Sequence, residues 1–161
     1  MALRVGDTAP DFTVTTHDGK ELSLAKVRGQ KNIVLYFYPR DFTSVCTKEA
    51  CGFRDMVGEL ENSDTMVIGV SPDSNETHRD FAKKHNVTFA LIADEEMNLA
   101  ATYQLFTGVV GKLSKLVRKF PRVTYVIGKD GKVAAVFDSE ILAGVHIDGV
   151  RDIVRGLANS S

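Results

Sequence analysis

The chain has 161 residues, 43% of them hydrophobic and 25% charged, with 20 basic against 21 acidic side chains. That length fits one domain (1–161) able to bury a core without staples, and the apolar fraction is too high for disorder. A net charge of -1 lacks the basic excess of a nucleic-acid binder, and no apolar run approaches the roughly 20 residues of a membrane helix. Met1 to Asp7 do not form a basic segment followed by an apolar one, so a cytoplasmic protein without nucleic-acid or membrane partners is expected.

Phe12 and Val14, then His17-Asp18-Gly19-Lys20, then Leu22 and Leu24 are an alternation broken by Asp-Gly, which predicts a hairpin. The apolar run Asn32 to Tyr38, stopped by Pro39, predicts a strand covered on both faces. Ser44 to Glu61 predicts a helix, with Val45, Ala50, Phe53, Val57 and Leu60 spaced by three to five. A buried strand is expected at Thr65 to Val70, then a helix through His85 opened by Asp73 with Glu76 three residues on, as in a capping box. Phe89 to Ile92 predicts a third strand, and Asp94-Glu95-Glu96 the acidic start of another helix. Thr107 to Phe120 reads as a helix whose basic face (Lys112, Lys115, Arg118, Lys119) is solvated. Val123 to Ile127 and Lys132 to Phe137, joined by Gly128-Lys-Asp-Gly131, predict a second hairpin, and Ile147 to Leu157 a last helix. The fold class is α/β, a mixed central sheet flanked by helices; the element order resembles a thioredoxin-like fold with an N-terminal β-hairpin extension.

The histidines His17, His78, His85 and His146 fall at turn and helix-end positions without metal-ligand spacing. They are expected to face solvent, with no metal bound. Gly108-Val-Val-Gly111-Lys112 lacks the spacing of a phosphate-binding loop, and no cofactor is implied.

Only two cysteines are present, Cys46 and Cys51. They lie in Pro39-Arg-Asp-Phe-Thr43-Ser-Val-Cys46-Thr-Lys-Glu49-Ala-Cys51, which leaves a central strand and opens the longest helix. Sites in open α/β sheets are built at the carboxyl ends of strands, and a helix N-terminus favours a thiolate. Thr43, three residues before Cys46, can offer its hydroxyl to a thiolate or a substrate oxygen. Pro39, with fixed φ and no N–H, can end the strand and stiffen the loop facing the sulfur.

Pro39, Thr43 and Cys46 in the pattern Pro-x-x-x-Thr-x-x-Cys resemble the active-site motif of the peroxiredoxins. Cys51, five residues on, is similar to the bacterioferritin-comigratory-protein or peroxiredoxin Q branch. Pro121-Arg122-Val-Thr124-Tyr-Val-Ile127 resembles the family strand bearing an essential arginine, and Gly6-Asp-Thr-Ala-Pro10-Asp11-Phe12 is also family-like.

The resemblance implies a thiol-dependent peroxidase acting on hydrogen peroxide and organic hydroperoxides. Cys46 would be the peroxidatic nucleophile, Thr43 would hold the peroxide, and Arg122 would sit over the sulfur. Cys51 would resolve the sulfenic acid as an intramolecular disulfide, recycled by a thioredoxin or glutaredoxin-like dithiol. Glu49 matches a family acidic position that orients an arginine. A monomer or weak homodimer is expected.

The chain departs from that branch at Phe42, Ser44 and Val45, where the branch favours a polar residue, Pro and Gly. Phe42 and Val45 resemble the typical two-cysteine branch, which resolves through a C-terminal cysteine; no cysteine follows Cys51. Five residues of intact helix rise about 7.5 Å and turn about 140°, setting two Cα atoms roughly 8.6 Å apart, beyond the ~7 Å a disulfide spans. The helix around Cys51 is therefore expected to unwind on oxidation. Three alternatives stay open: a thiol–disulfide oxidoreductase on the same fold, a one-cysteine peroxidase using an external thiol, and a non-catalytic holdase or interaction protein. Four residues separate Cys46 from Cys51 and Val123 precedes Thr124, where thioredoxins carry Cys-x-x-Cys and a cis-proline.

Overall fold

The computed structural model describes residues 3–106, 112–113, 115–116, 120–138 and 143–159. A two-stranded hairpin, β1 (Thr13–Thr15) and β2 (Glu21–Ser23), leads into the short helix α1 (Leu24–Val27). Then follow β3 (Asn32–Phe37), α2 (Ser44–Asn62), β4 (Thr65–Ser71), α3 (Asn75–His85), β5 (Ala90–Ala93) and α4 (Asn98–Thr102). The chain closes with β6 (Val123–Ile127), β7 (Val133–Phe137) and α5 (Ala143–Asn159). The larger sheet has the order β5-β4-β3-β6-β7. β3, β4 and β5 run parallel, and β6 and β7 join antiparallel.

Central β3 is buried along its whole length, so its period of two serves two cores rather than one core and solvent. Ile33, Leu35 and Phe37 join Ile68, Val70, Tyr125 and Ile127 under the N-terminal segment and α4. Val34 and Tyr36 join Val67, Leu91 and Val126 against α2, α3 and α5. On α2 the residues Cys46, Glu49, Ala50, Phe53, Met56 and Leu60 are buried, an i, i+3, i+4, i+7 stripe that carries a cysteine and an acid among its apolar members. Helices α2 and α5 meet at Gly52, where a Cβ would overlap Ile147 Cδ1.

Two predicted starts move. Asp73 does not cap α3; Ser74 does, accepting from Thr77 N at 3.2 Å, while Asp73 accepts from Ser71 Oγ and Asp41 N. The acidic triplet does not open α4 directly, since Met97 in the left-handed region intervenes. Asp94 instead reaches forward to accept from Leu99 N at 3.1 Å and Ala100 N at 2.9 Å. Of Thr107 to Phe120, the stretch Gly108 to Gly111 and the basic residues Arg118 and Lys119 lie outside the described residues, while Lys112 and Lys115 are helical and exposed. Among the described residues no helix is long and apolar enough to cross a membrane.

Candidate active site

The last pair of the β3–β6 ladder is Phe37 with Val123. Arg122 therefore enters β6 at the carboxyl end of β3, beside the loop that runs from Pro39 into α2. Within that loop Phe42 adopts φ 65°, a left-handed conformation that costs an aromatic residue about 1–2 kcal/mol. Packing holds it there: the Phe42 ring lies edge-on to Phe81 at 5.1 Å and 6.1 Å from His85, with Lys84 Nζ 5.8 Å from its centre. The reversal delivers Thr43 to the N-cap of α2 in extended conformation. Its carbonyl accepts from Thr47 N at 2.8 Å, while its hydroxyl does not cap the helix but donates to Arg40 O at 3.2 Å.

Cys46 sits in the first turn of α2, 1% exposed. Arg122 Nη2 donates to its Sγ at 3.2 Å. Arg122 Nη1 donates to Glu49 Oε1 at 3.1 Å, one turn along the same buried face. Glu49 Oε2 lies 3.5 Å from His146 Nδ1 on α5, and that nitrogen shares a 2.7 Å hydrogen bond with Thr124 Oγ1 on β6. Burial works against the guanidinium charge, but the negative charges and hydrogen bonds of Glu49 and Cys46 outweigh it and raise the Arg122 pKa above its ordinary value. The chain Cys46–Arg122–Glu49–His146–Thr124 thus joins α2, β6 and α5 around one sulfur. Pro39 and Thr43, both half-buried, lie in the loop that leads into α2 and its first-turn Cys46.

Cys51 is half-buried and, like Cys46, free. Both lie on the unbroken helix α2, on different faces, with Cys51 next to the Gly52–Ile147 contact.

The histidines depart from the expectation of solvent exposure. His78 and His146 are 0% exposed. Each falls on its helix's buried face, His78 with Phe81 and Ala82 on α3 and His146 with Val150 and Val154 on α5. Those spacings, i, i+3, i+4 on α3 and i, i+4, i+8 on α5, stand in the sequence and put both histidines on apolar helix faces. His78 Nδ1 is 2.6 Å from Asp41 Oδ2, and its Nε2 is 3.1 Å from Ile92 O. Asp41 Oδ1 accepts from Tyr38 Oη at 2.6 Å, and Asp41 N donates to Asp73 Oδ2 at 2.7 Å. Ligand atoms of Asp41, Asp73 and His78 lie within 4.8 Å of one another. The imidazole nitrogens face protein acceptors and the carboxylates accept from protein donors, so these groups form a hydrogen-bonded network rather than an open cation site.

The sequence profile of the AhpC/TSA family matches residues 5–136. The chain is 40% identical over 137 residues to peroxiredoxin Bcp of Bacillus subtilis (strain 168), covering 83% of each protein. It is 36% identical over 152 residues to the chloroplastic peroxiredoxin Q of Sedum lineare, spanning 94% of this chain and 78% of that one. The crystal structure of peroxidoxin BcpB from Mycobacterium tuberculosis matches with a TM-score of 0.85 at 32% identity, over 96% of this chain and 98% of that chain. A buried cysteine under an arginine at the head of a helix thus occurs in a chain whose sequence and backbone both run with these proteins. The chain belongs to the AhpC/TSA family and is a peroxiredoxin of the Bcp and peroxiredoxin Q kind.

Proposed function

We propose that this peroxiredoxin reduces hydrogen peroxide and organic hydroperoxides by a two-cysteine cycle, with Cys46 as nucleophile and Cys51 as resolver. The observation that carries the assignment is the 3.2 Å hydrogen bond from Arg122 Nη2 to Cys46 Sγ in the first turn of α2. A guanidinium and the free N–H groups of a helix start both stabilise negative charge on sulfur. The thiolate attacks the terminal peroxide oxygen; an S–O bond forms as the O–O bond breaks, and sulfur loses two electrons to become a sulfenic acid. The departing alkoxide or hydroxide takes a proton and leaves as alcohol or water. Arg122 faces that charge as it passes from sulfur to the leaving oxygen.

Thr43 orients the peroxide. Its proton is committed to Arg40 O, which leaves oxygen lone pairs to accept from the peroxide O–H. Pro39 stiffens the loop opposite. The Cys51 thiolate then attacks the sulfenic sulfur, forming the S–S bond and expelling hydroxide, which leaves as water. An external dithiol of the thioredoxin or glutaredoxin type reduces the disulfide. Each step balances between peroxide and thiols with no other redox group. The proposed setting is cytoplasmic, with neither nucleic acid nor membrane as partner and a monomer or weak homodimer as the working unit; a net charge of -1, without a basic excess, supports the part about nucleic acid.

One observation favours a one-cysteine variant of the cycle: α2 is unbroken between Cys46 and Cys51, so resolution requires it to open. Intact mass after one equivalent of hydrogen peroxide separates the readings. Loss of two mass units in wild type and gain of about sixteen in Cys51→Ser supports both roles. A gain of about sixteen in both proteins removes Cys51 from the cycle. No change in either overturns the peroxidase assignment, and insulin reduction without peroxide would then point to a thiol–disulfide oxidoreductase.

A further inference from the structure

Among the described residues, a largely buried polar cluster away from Cys46 joins Tyr38, Asp41, Ser71, Asp73 and His78, and it holds the loop that carries Thr43. Asp41 is 3% exposed, His78 and Ser71 0%. The proton positions follow from the partners. Ile92 O can only accept, so His78 Nε2, 3.1 Å away, carries a hydrogen. Ser71 Oγ donates to Asp73 Oδ2 at 2.6 Å. Between His78 Nδ1 and Asp41 Oδ2, at 2.6 Å, one proton is shared by an imidazole and a carboxyl group. Tyr38 donates to the other Asp41 oxygen.

Asp41 is thereby held from three directions: by Tyr38 at the end of β3, by His78 from α3, and through its own N–H by Asp73 after β4. The next residue is Phe42 in the left-handed conformation, clamped against Phe81 and His85 of the same α3. The residue after that is Thr43, the N-cap of α2. Helix α3 therefore grips both residues that precede Thr43, one by hydrogen bonds and one by ring contact. The hydrogen bonds and ring contacts that make these two grips end on Asp41 and Phe42 rather than on Arg122 or Cys46.

We propose that His78 is a positioning residue for peroxide reduction, acting through Asp41 to fix the loop that sets Thr43 against the bound peroxide. This rests on the peroxidase reading above. It separates two properties of Cys46 that Arg122 would otherwise govern together. The readiness of the sulfur to react belongs to Arg122 and the helix start; the alignment of a peroxide belongs to the loop. Losing His78 is expected to harm the second and spare the first.

The test compares two second-order rate constants in the Cys51→Ser background, where Cys46 is the only thiol: oxidation by hydrogen peroxide, and alkylation by iodoacetamide, which needs a reactive sulfur but no Thr43 alignment. His78→Phe fills the space and removes the hydrogen bonds to Asp41 and Ile92 together with the longer contacts to Tyr38 and Ser71. The ratio of peroxide rate to alkylation rate is expected to fall tenfold or more. A smaller fall, or an equal fall in both rates, overturns the proposal and leaves His78 a structural residue. If His78→Phe does not fold, Tyr38→Phe removes a single hydroxyl from Asp41 and decides: a threefold or larger fall in the ratio is expected, and anything less overturns it. A parent protein that alkylates normally yet ignores peroxide overturns the peroxidase reading itself, a result distinct from an active parent with unaffected variants.

Discussion

Arg122 and Glu49 form an ion pair, Nη1 to Oε1 at 3.1 Å, with side chains 5% and 0% exposed. The pairing fixes the plane of the guanidinium, and that plane aims the remaining nitrogen, Nη2, at Cys46 Sγ. Lysine could meet one of these acceptors but has no planar fork to serve both in fixed geometry. Arg122→Lys is expected to lower the rate of Cys46 oxidation by hydrogen peroxide about 100-fold, the usual scale for one preorganised donor to developing charge. Glu49→Gln keeps the shape and an acceptor while removing the charge, and is expected to cost about tenfold in the same stopped-flow measurement, less than a full donor loss. Rates within threefold of wild type in folded variants would show that the fork does not govern the sulfur.

The second prediction concerns α2. Cys46 and Cys51 share an unbroken helix, and intact helical geometry holds Cα atoms five apart roughly 8.6 Å from each other, too far for the bond. Opening the helix must also disturb α5, because Ile147 occupies the space a Cβ of Gly52 would take. Amide hydrogen exchange is expected to show protection from Thr47 to Arg54 in the reduced protein and its loss in the peroxide-treated disulfide form. Equal protection in the two forms would mean that the disulfide forms without unwinding or does not form.

These two sites differ in how much of them the sequence discloses. Pro39, Thr43 and Cys46 are legible because the strand end, loop and helix start are written in local pattern; Arg122 is reached only through the family resemblance of its strand, β6, which returns it to the end of β3. Glu49 is legible only by its place one turn from Cys46. The Asp41–His78 and Glu49–His146 contacts span 37 and 97 residues in the chain, and no local spacing announces them. What the sequence does hold is the periodicity that puts both histidines on buried helix faces. A buried histidine needs partners, so those contacts follow once the faces are recognised. Asp73 shows the converse: Glu76 three residues on marks it as the cap, but the pull of Asp41 N and Ser71 on its carboxylate leaves the cap to Ser74.

His17 couples the N-terminal hairpin to the main sheet and makes stability depend on pH. Its backbone N–H donates to Leu91 O at 2.9 Å, and its ring Nδ1 accepts from Leu91 N at 3.1 Å. A proton on Nδ1 would displace the second bond. Burial holds the His17 pKa below its ordinary value of 6.5, against the opposing charge of Asp18. As pH falls through 6.5, the unfolded chain takes up its proton first, so the folded state binds fewer protons and loses stability on acidification. The contribution is fully present above 6.5 and is lost as pH falls through the lowered folded value. Asparagine at this position can still accept from Leu91 N and does not titrate. The urea midpoint of wild type is therefore expected to drop more between about pH 7.5 and about pH 5 than that of His17→Asn, across the range in which histidine titrates. Parallel curves for the two proteins would assign the acid sensitivity to other groups.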